Sequence, residues 1–511
     1  MEWRGGRGHE SITRRTWLVE RGRDVTGPIH SQLSSKAGKA LKILLIAYEF
    51  PPGPSPQSLR WARFARELCA LGDEVHVLTV ARGQEPGRLD VPDGVRVYRI
   101  GTGLVSGAVD AIRRWSGKSR FPAPGAAVGA VAGTGPGGAV RADGMRGDRG
   151  GDVDRGPAGS MPGGNVPVES LNWKGRVVVF LDRLVVAVLG RMLGTGWISS
   201  ESLWGFLARG PLSRLLDVLD PDVVISSHEP DATLRLGLMA KEKGYPWLAD
   251  LGDPVLSGYT PLRRRRKAIE LERGTCRSAD HLTVTTEATR ELLVSRHGVE
   301  MSRISVLPQG YDPPGPSPAG ATCPVAFDRG LLELVYTGSF YSFRNPQRLV
   351  EAVLGREDTR LTVATRIPPG WLVEAAREWP ARIRLTGFLS HDQALALQRS
   401  ADVLVNIAND DPVQLPGKLF EYLGAGRPIL HVGGARGLEF LLCEGRRGIA
   451  VANDVAEIGR ALDRLAAIKR ADAWHHEFDL DAGRFAGYEW RNIAGHLREQ
   501  LVRLAGAASA G

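Results

Sequence analysis

The stretch Pro416-Gly417-Lys418-Leu419-Phe420-Glu421-Tyr422-Leu423-Gly424-Ala425-Gly426-Arg427-Pro428 constrains this chain more than any other. An apolar run, Val403-Leu404-Val405-Asn406-Ile407-Ala408, precedes it, and another, Ile429-Leu430-His431-Val432, comes after. Short apolar runs on either side of a helical pattern read as a β-α-β unit. Pro416 suits the first helical position, where an N–H is not needed. Gly417 allows another group to approach the backbone closely. The open N–H groups of a helix start favour an anion, phosphate above all. Lys418 adds positive charge there, and Glu421 lies on the same face one turn on, where its carboxylate can accept from sugar hydroxyls. The pattern fits a sugar nucleotide. It equally fits a plain helix cap with a solvated Lys–Glu pair, so the rest of the chain has to decide.

The rest repeats the unit. Leu41 to Tyr48 is a buried-strand pattern, followed by the Pro/Gly loop Phe50 to Pro56 and a helical pattern from Gln57 to Leu71 ending at Gly72. Glu74–Val80 and Val95–Ile100 are further strands. Val223–Ser227, Trp247–Leu251, His281–Thr286 and Ile304–Pro308 continue the alternation with helices. Residues 309–330 are rich in Pro and Gly and read as a linker. The pattern then restarts with Leu334–Gly338, Leu361–Thr365, Ile383–Gly387, the 403–408 and 429–432 runs, and Ile449–Val451. The expectation is an α/β chain with two doubly wound parallel sheets, whose ligands sit at strand ends. The expected domains are 41–308 and 331–483, with a helix over 484–511 crossing back to the first.

Two regions stand apart. Residues 1–40 are rich in Arg, Gly and Ser, lack the apolar core of a secretory signal, and are expected to be a disordered tail. Residues 118–168 carry almost no large apolar side chains and are expected to be a disordered insertion. The apolar and basic stretch Leu171–Leu193 reads as a helix packed on the first domain, or as one lying on a membrane interface. The run Arg263-Arg264-Arg265-Arg266-Lys267 reads as a solvated face, or as a contact for anionic lipid. No apolar run approaches the roughly 20 residues of a membrane span. Cys69, Cys276, Cys323 and Cys443 are too scattered for a disulfide framework, which points to a reducing, cytoplasmic compartment. The net charge of +9 fits anionic ligands without requiring nucleic acid. No zinc-ligand spacing is present in the sequence.

In order and spacing these pieces resemble a family 4 glycosyltransferase of GT-B fold, in which two Rossmann-like domains face each other across a cleft. The resemblance runs over about 41–505, apart from the insertion. Tyr48-Glu49-Phe50-Pro51-Pro52 is similar to the family's first loop, and Ala249-Asp250-Leu251-Gly252-Asp253-Pro254 to its aspartate–x–x–aspartate–proline turn. Leu307-Pro308-Gln309-Gly310-Tyr311-Asp312, Tyr336-Thr337-Gly338-Ser339-Phe340-Tyr341 and Lys418-Leu419-Phe420-Glu421-Tyr422 match later segments. Three positions depart from the pattern. Val413 stands where a glutamate is frequent, Pro54-Ser55-Pro56 replaces paired glycines, and Gln309 precedes Gly310 where asparagine is usual.

The resemblance implies transfer of a sugar from a nucleotide-diphosphate sugar, with retention at the anomeric carbon and without a metal or resident cofactor. The acceptor would be a glycan, a lipid-linked saccharide or a small molecule. Lys418 and Arg344 would neutralise the diphosphate, Gly338 and Gly417 would let it approach the backbone, and Glu421 would hold the ribose. Gln414 or backbone amides would hold the donor sugar in place of the carboxylate that Val413 does not offer. His228, after its strand, would face the reacting sugar as hydrogen-bond partner or proton carrier. Gly53 and Asp253 would lie on the acceptor side. A sugar-nucleotide epimerase of similar fold, or a partner subunit without turnover, remains the alternative.

Overall fold

The computed structural model describes residues 39–53, 55–81, 89–101, 200–258, 260–313, 322–340, 346–409, 415–433, 438, 442 and 444–509. The chain divides into Met1–Ala40 and Leu41–Gly511, and every described strand and helix belongs to the second unit. The 118–168 insertion, the 171–193 stretch, Arg344, Val413 and Gln414 lie outside the described residues.

Strand β1, Lys42–Ala47, shows why both sheets are parallel and buried. Its residues alternate between two apolar layers: Ile43 and Leu45 pack on one face, Leu44 and Ile46 on the other. A strand apolar on both faces needs helices on both sides, which parallel crossovers supply. Around it stand β2 (Glu74–Val80), β3 (Arg96–Ile100), β4 (Val223–His228), β5 (Trp247–Leu251), β6 (His281–Val284) and β7 (Ile304–Val306), in the order β3-β2-β1-β4-β5-β6-β7. Every pairing in this sheet is parallel.

The second sheet contains β8 (Leu332–Thr337), β9 (Thr359–Ala364), β10 (Ile383–Leu385), β11 (Val403–Ile407), β12 (Ile429–Val432) and β13 (Gly448–Val451), in the order β10-β9-β8-β11-β12-β13. It too is parallel throughout. Here Val403, Val405 and Ile407 face one apolar layer and Leu404 the other. In both sheets the chain winds outward in one direction and then reverses. The reversals fall between β1 and β4 and between β8 and β11. Neighbouring crossovers diverge at such a point and leave a crevice beyond the carboxyl ends of the strands.

The two domains are joined twice. The chain passes over at Leu307–Asp312 and returns at Tyr488–Trp490, and the two crossings hydrogen-bond to each other. The Tyr311 amide donates to the Tyr488 carbonyl at 3.0 Å, and the Trp490 amide to the Tyr311 carbonyl at 3.0 Å. Gly310 is needed at this contact: a Cβ there would stand 2.8 Å from the Tyr488 carbonyl oxygen and 2.9 Å from Trp490 and Ile493. The same pairing, extended by the bridge between Tyr311 and Glu489, interrupts the expected single helix over 484–511. A 3₁₀ segment, Gly483–Tyr488, comes first, and the α-helix is Trp490–Ser509.

That helix packs on the first domain's helix Pro56–Ala70. Ile493, Ala494, Leu497 and Leu501 share an apolar cluster with Trp61, Phe64, Ala65 and Leu68. The ring of Trp490 meets Phe64 edge to face at 5.4 Å, and Phe64 meets Trp61 at 5.2 Å. Arg498 clamps Asp73 through two bonds of 2.8 and 2.9 Å, and Asp73 also accepts the Leu41 amide at 3.0 Å. Leu497 is fully buried. Leu497→Ala should therefore cost about 2–5 kcal/mol in denaturant unfolding; a loss below about 1 kcal/mol would show that this helix is not integral to the core.

Candidate functional site

At the second sheet's reversal, β8 ends in Thr337 and the chain turns at Gly338, whose φ is +125°. Side chains other than glycine rarely adopt that angle. Across the reversal, the loop after β11 leads into the helix Lys418–Gly424. The Lys418 side chain lies over the Gly338 turn: a Cβ added at Gly338 would sit 3.6 Å from its Cδ and 3.8 Å from its Nζ. The ammonium stands 3.3 Å from the centroid of the Tyr336 ring, a cation held on an aromatic face. Tyr336 is itself fixed, stacked on Phe340 at 4.6 Å and donating its hydroxyl to the Ser339 carbonyl at 3.0 Å.

The helix start differs from the sequence expectation. Gly417, not a residue before it, is the N-cap, so Pro416 precedes the helix rather than opening it. The Leu419 and Phe420 amides already donate to the Pro416 and Gly417 carbonyls, at 3.0 and 3.2 Å. Two first-turn donors are thus committed to the turn. The positive charge of this site comes chiefly from the Lys418 side chain.

Glu421 is half-buried one turn on. Its Oε2 accepts from Gln398 Nε2 at 3.5 Å, and its Oε1 lies 4.0 Å from His391 Nδ1. Gln398 Nε2 also donates to Thr337 Oγ1 at 3.0 Å. Next to Glu421, the buried Tyr422 hydroxyl accepts the Thr337 amide at 3.1 Å and meets Thr337 Oγ1 at 3.2 Å. Burial pushes the Tyr422 hydroxyl's pKa well up, so it stays neutral and serves only as a hydrogen-bonding group. These bonds tie the helix carrying Lys418 and Glu421 to the end of β8. Arg63, from the first domain, feels this site too. Burial lowers its pKa, while Asp312, Glu421 and Asp392 act in the opposite sense.

At the first sheet's reversal the strand β4 ends in His228, with its side chain buried. The loop after β1, which contains Gly53, leads to Ser55, whose Oγ caps the next helix by accepting the Ser58 amide at 3.1 Å. That cap aims Gln57 back at β4. Its Nε2 donates to the His228 carbonyl at 2.5 Å and to Ser227 Oγ at 2.8 Å. His228 Nε2 faces Asp231 Oδ1 at 3.6 Å. Burial alone would lower the imidazole's pKa, but the Asp231 hydrogen bond and the charges of Glu229, Asp231 and Asp253 outweigh it and hold the pKa above that of an ordinary histidine. Reciprocally, the bond to His228 holds Asp231 below the usual carboxylate range. Asp253 thus belongs to the surroundings of His228.

The two halves meet through the crossover. The Gln309 side chain presses on Gly417, where a Cβ would lie 3.2 Å from Gln309 Cγ. Of the residues expected from sequence, Gly338, Gly417, Lys418 and Glu421 are gathered at the second reversal, and Gly53, His228 and Asp253 belong to the first. Gln57, Asp231, Gln398 and Tyr336, to which the sequence reading gives no role, complete the two groups. Tyr336 could have been found from its place in Tyr-Thr-Gly; Gln398, on a helix face, carries no sequence signal. A cavity of about 400 Å³ lined by Arg399, Arg427, Pro428 and Trp474 lies at the opposite, amino-terminal ends of β11 and β12. It is not part of this site.

Comparison with known proteins agrees with this fold. The model of Glycosyltransferase Family 4 matches residues 181–313, and that described as Glycosyl transferase-like matches 344–477, together just over half of the chain. No curated protein sequence matches it. Among solved structures, sucrose-phosphate synthase from Thermosynechococcus elongatus is 16% identical, with a TM-score of 0.56 over 91% of this chain and 99% of that one. The HepE protein of Anabaena, in complex with UDP, is 12% identical at a TM-score of 0.54, covering 91% and 100%. An E. coli trehalose-6-phosphate protein bound with UDP-2-fluoro glucose is 12% identical at a TM-score of 0.51, covering 90% and 98%. The fold is GT-B. The chain belongs to the family 4 type of glycosyltransferases, enzymes that move a sugar from a nucleotide-sugar donor.

The ion pair at the first reversal makes a pH prediction. His228 has a folded pKa above its unfolded value, so its stabilisation is full below about pH 6.5 and is lost as pH rises through the folded pKa. Asp231 is more than half exposed, which limits the pair to about 0.5–1 kcal/mol. Asp231→Asn should lower stability by that amount at pH 5.5 and leave it unchanged at pH 9, measured by denaturant melts. An equal loss at both pH values would contradict the charged pair.

Proposed function

We propose that this enzyme transfers a hexose-type sugar from a uridine-diphosphate sugar, held on the second domain, to an acceptor that enters from the first. The observation that carries this reading is the lysine of the second reversal laid across a positive-φ glycine turn, with a carboxylate one helical turn away. The HepE and trehalose-6-phosphate neighbours were solved with UDP and a UDP-sugar, which supports uracil as the base.

In this reading the diphosphate lies against Gly338, where no side chain blocks it, and Lys418 turns from the Tyr336 face to pair with it. As the bond between the anomeric carbon and the phosphate oxygen breaks, negative charge collects on the leaving diphosphate. Lys418, with Arg344, stabilises that charge without a metal. Glu421 accepts from the ribose hydroxyls, its orientation set by Gln398 and His391. The base continues past the ribose toward Phe388, whose exposed ring lies 4.5 Å from the Arg366 guanidinium carbon. Gln414 and Gly417 contact the donor as well.

His228 supplies a hydrogen bond to the donor sugar from the facing domain. Its pKa, raised by three carboxylates, keeps a proton on the ring over a wider pH range than an ordinary histidine. Gly53 and Asp253 border the acceptor. Family likeness supports retention at the anomeric carbon.

The acceptor side has a further feature. Leu262 is 84% exposed, and Arg263 to Lys267 are exposed behind it at the start of the helix Leu262–Ser278, a few residues beyond Asp253. An exposed leucine leading a basic run suits an anionic membrane surface and so a lipid-linked acceptor. No helix among the described residues is long and apolar enough to cross a membrane.

Lys418→Ala should weaken UDP binding by roughly 1.5–3 kcal/mol in calorimetry, the scale of a charge-assisted hydrogen bond. Unchanged affinity would refute the assignment. Replacing Arg263–Arg266 with glutamine should abolish sedimentation with vesicles containing phosphatidylglycerol and leave UDP affinity unchanged. Persistent vesicle binding would remove the lipid-surface reading.

A further inference from the structure

Beneath the first reversal runs a buried polar chain that the donor chemistry does not use. Gln57 Nε2 joins the His228 carbonyl to Ser227 Oγ, and Ser227 Oγ donates to Asp250 Oδ2 at 3.3 Å. Asp250 Oδ1 accepts from Thr283 Oγ1 at 2.8 Å and faces Arg60 Nη2 at 3.5 Å. Arg60 then donates outward: Nη2 to the Leu307 carbonyl at 2.8 Å and Nη1 to the Pro308 carbonyl at 2.9 Å. The next residue is Gln309, whose side chain rests against Gly417, the neighbour of Lys418.

Arg60 is 2% exposed and Asp250 1%. Burying a guanidinium and a carboxylate is costly, and such a pair often stabilises no better than apolar side chains of the same volume. Here the ion-pair contact is long, while the two bonds to consecutive carbonyls are short. The guanidinium is therefore committed to fixing the crossover. Its planar fork meets two neighbouring carbonyls at once, which a lysine ammonium does not reproduce with the same rigidity.

We propose that Arg60 is a positioning residue: it locks the Leu307–Pro308–Gln309 crossover to the floor of the first reversal and so fixes how His228 stands relative to Lys418. This rests on the proposed contacts of Lys418 with the diphosphate and of His228 with the donor sugar. Arg60 touches no substrate. Loss of it frees the crossover, so the domains sample a wider range of separations. Donor binding, which belongs to the second domain, is untouched. Turnover, which needs both domains in register, falls.

The test uses the full chain with its native cysteines replaced and spin labels at Arg235→Cys and Arg377→Cys, exposed positions on the two domains. With UDP present, the parent should give one narrow distance distribution and Arg60→Met one at least twice as wide, with Arg60→Lys between them. UDP affinity by calorimetry should stay within about twofold. Release of UDP from whichever of UDP-glucose, UDP-galactose or UDP-N-acetylglucosamine the parent consumes should fall tenfold or more in kcat. An unchanged distribution in Arg60→Met, with only a lower melting temperature, would overturn the proposal, since a merely structural arginine would behave so. If Arg60→Met does not fold, Gln57→Leu breaks the same chain at its more accessible end and should lower kcat with UDP affinity preserved; unchanged kcat would overturn it. Failure of the donor reading is seen separately, as unchanged UDP affinity in Lys418→Ala, and the distance measurement does not depend on it.

Discussion

Strands that are apolar on both faces leave polar chemistry nowhere to go but their ends. That constraint organises this molecule. Each sheet has helices on both sides and a single place where successive crossovers part. Each such place collects the charged and conformationally special residues of its domain: Gly338, Lys418 and Glu421 in one, His228, Gln57 and Asp253 in the other. The second site is held by a short set of bonds. Tyr422 and Gln398 both end on Thr337, so the helix that carries the lysine and the carboxylate cannot move independently of the strand that carries the glycine turn.

The domains are then joined by few, well-defined contacts. Two chain crossings pair with each other at Tyr311, and the C-terminal helix returns to bury its apolar face on the helix Pro56–Ala70. A glycosyltransferase needs its halves to admit donor and acceptor and yet to meet in register. A double crossing gives a hinge of limited play. The buried arginine beneath it, bonded to two successive crossover carbonyls, narrows that play further.

Much of this was legible in the residues. The thirteen described strands fall on runs visible in the sequence, most clearly β1 and β11, where burial on both faces leaves an apolar signal; β3, at the sheet edge, is at most half-buried and its run is broken by Arg96 and Arg99. The helix bearing Lys418 and Glu421 was visible because its charges sit one turn apart between two such runs. Its start was placed too early: the expected role of Pro416 overlooked that the Pro416 and Gly417 carbonyls are used by a tight turn. Gln57, Gln398 and Arg60 were not legible as site residues. Their partners lie between 23 and 248 positions away, and nothing in their own neighbourhoods marks them. His228 drew attention from its place at a strand end; of the carboxylates that raise its pKa, Glu229 and Asp231 are sequence neighbours, and only Asp253 is brought to it by the fold.

In the proposed enzyme the lysine, the glycine turn and the carboxylate together make the nucleotide site. A crystal structure of the chain soaked with UDP tests it most directly. The expected result is a diphosphate within hydrogen-bonding distance of Lys418 Nζ and against the Gly338 turn, with both ribose hydroxyls on Glu421. A nucleotide bound elsewhere, or a β-phosphate facing away from Lys418, would contradict it.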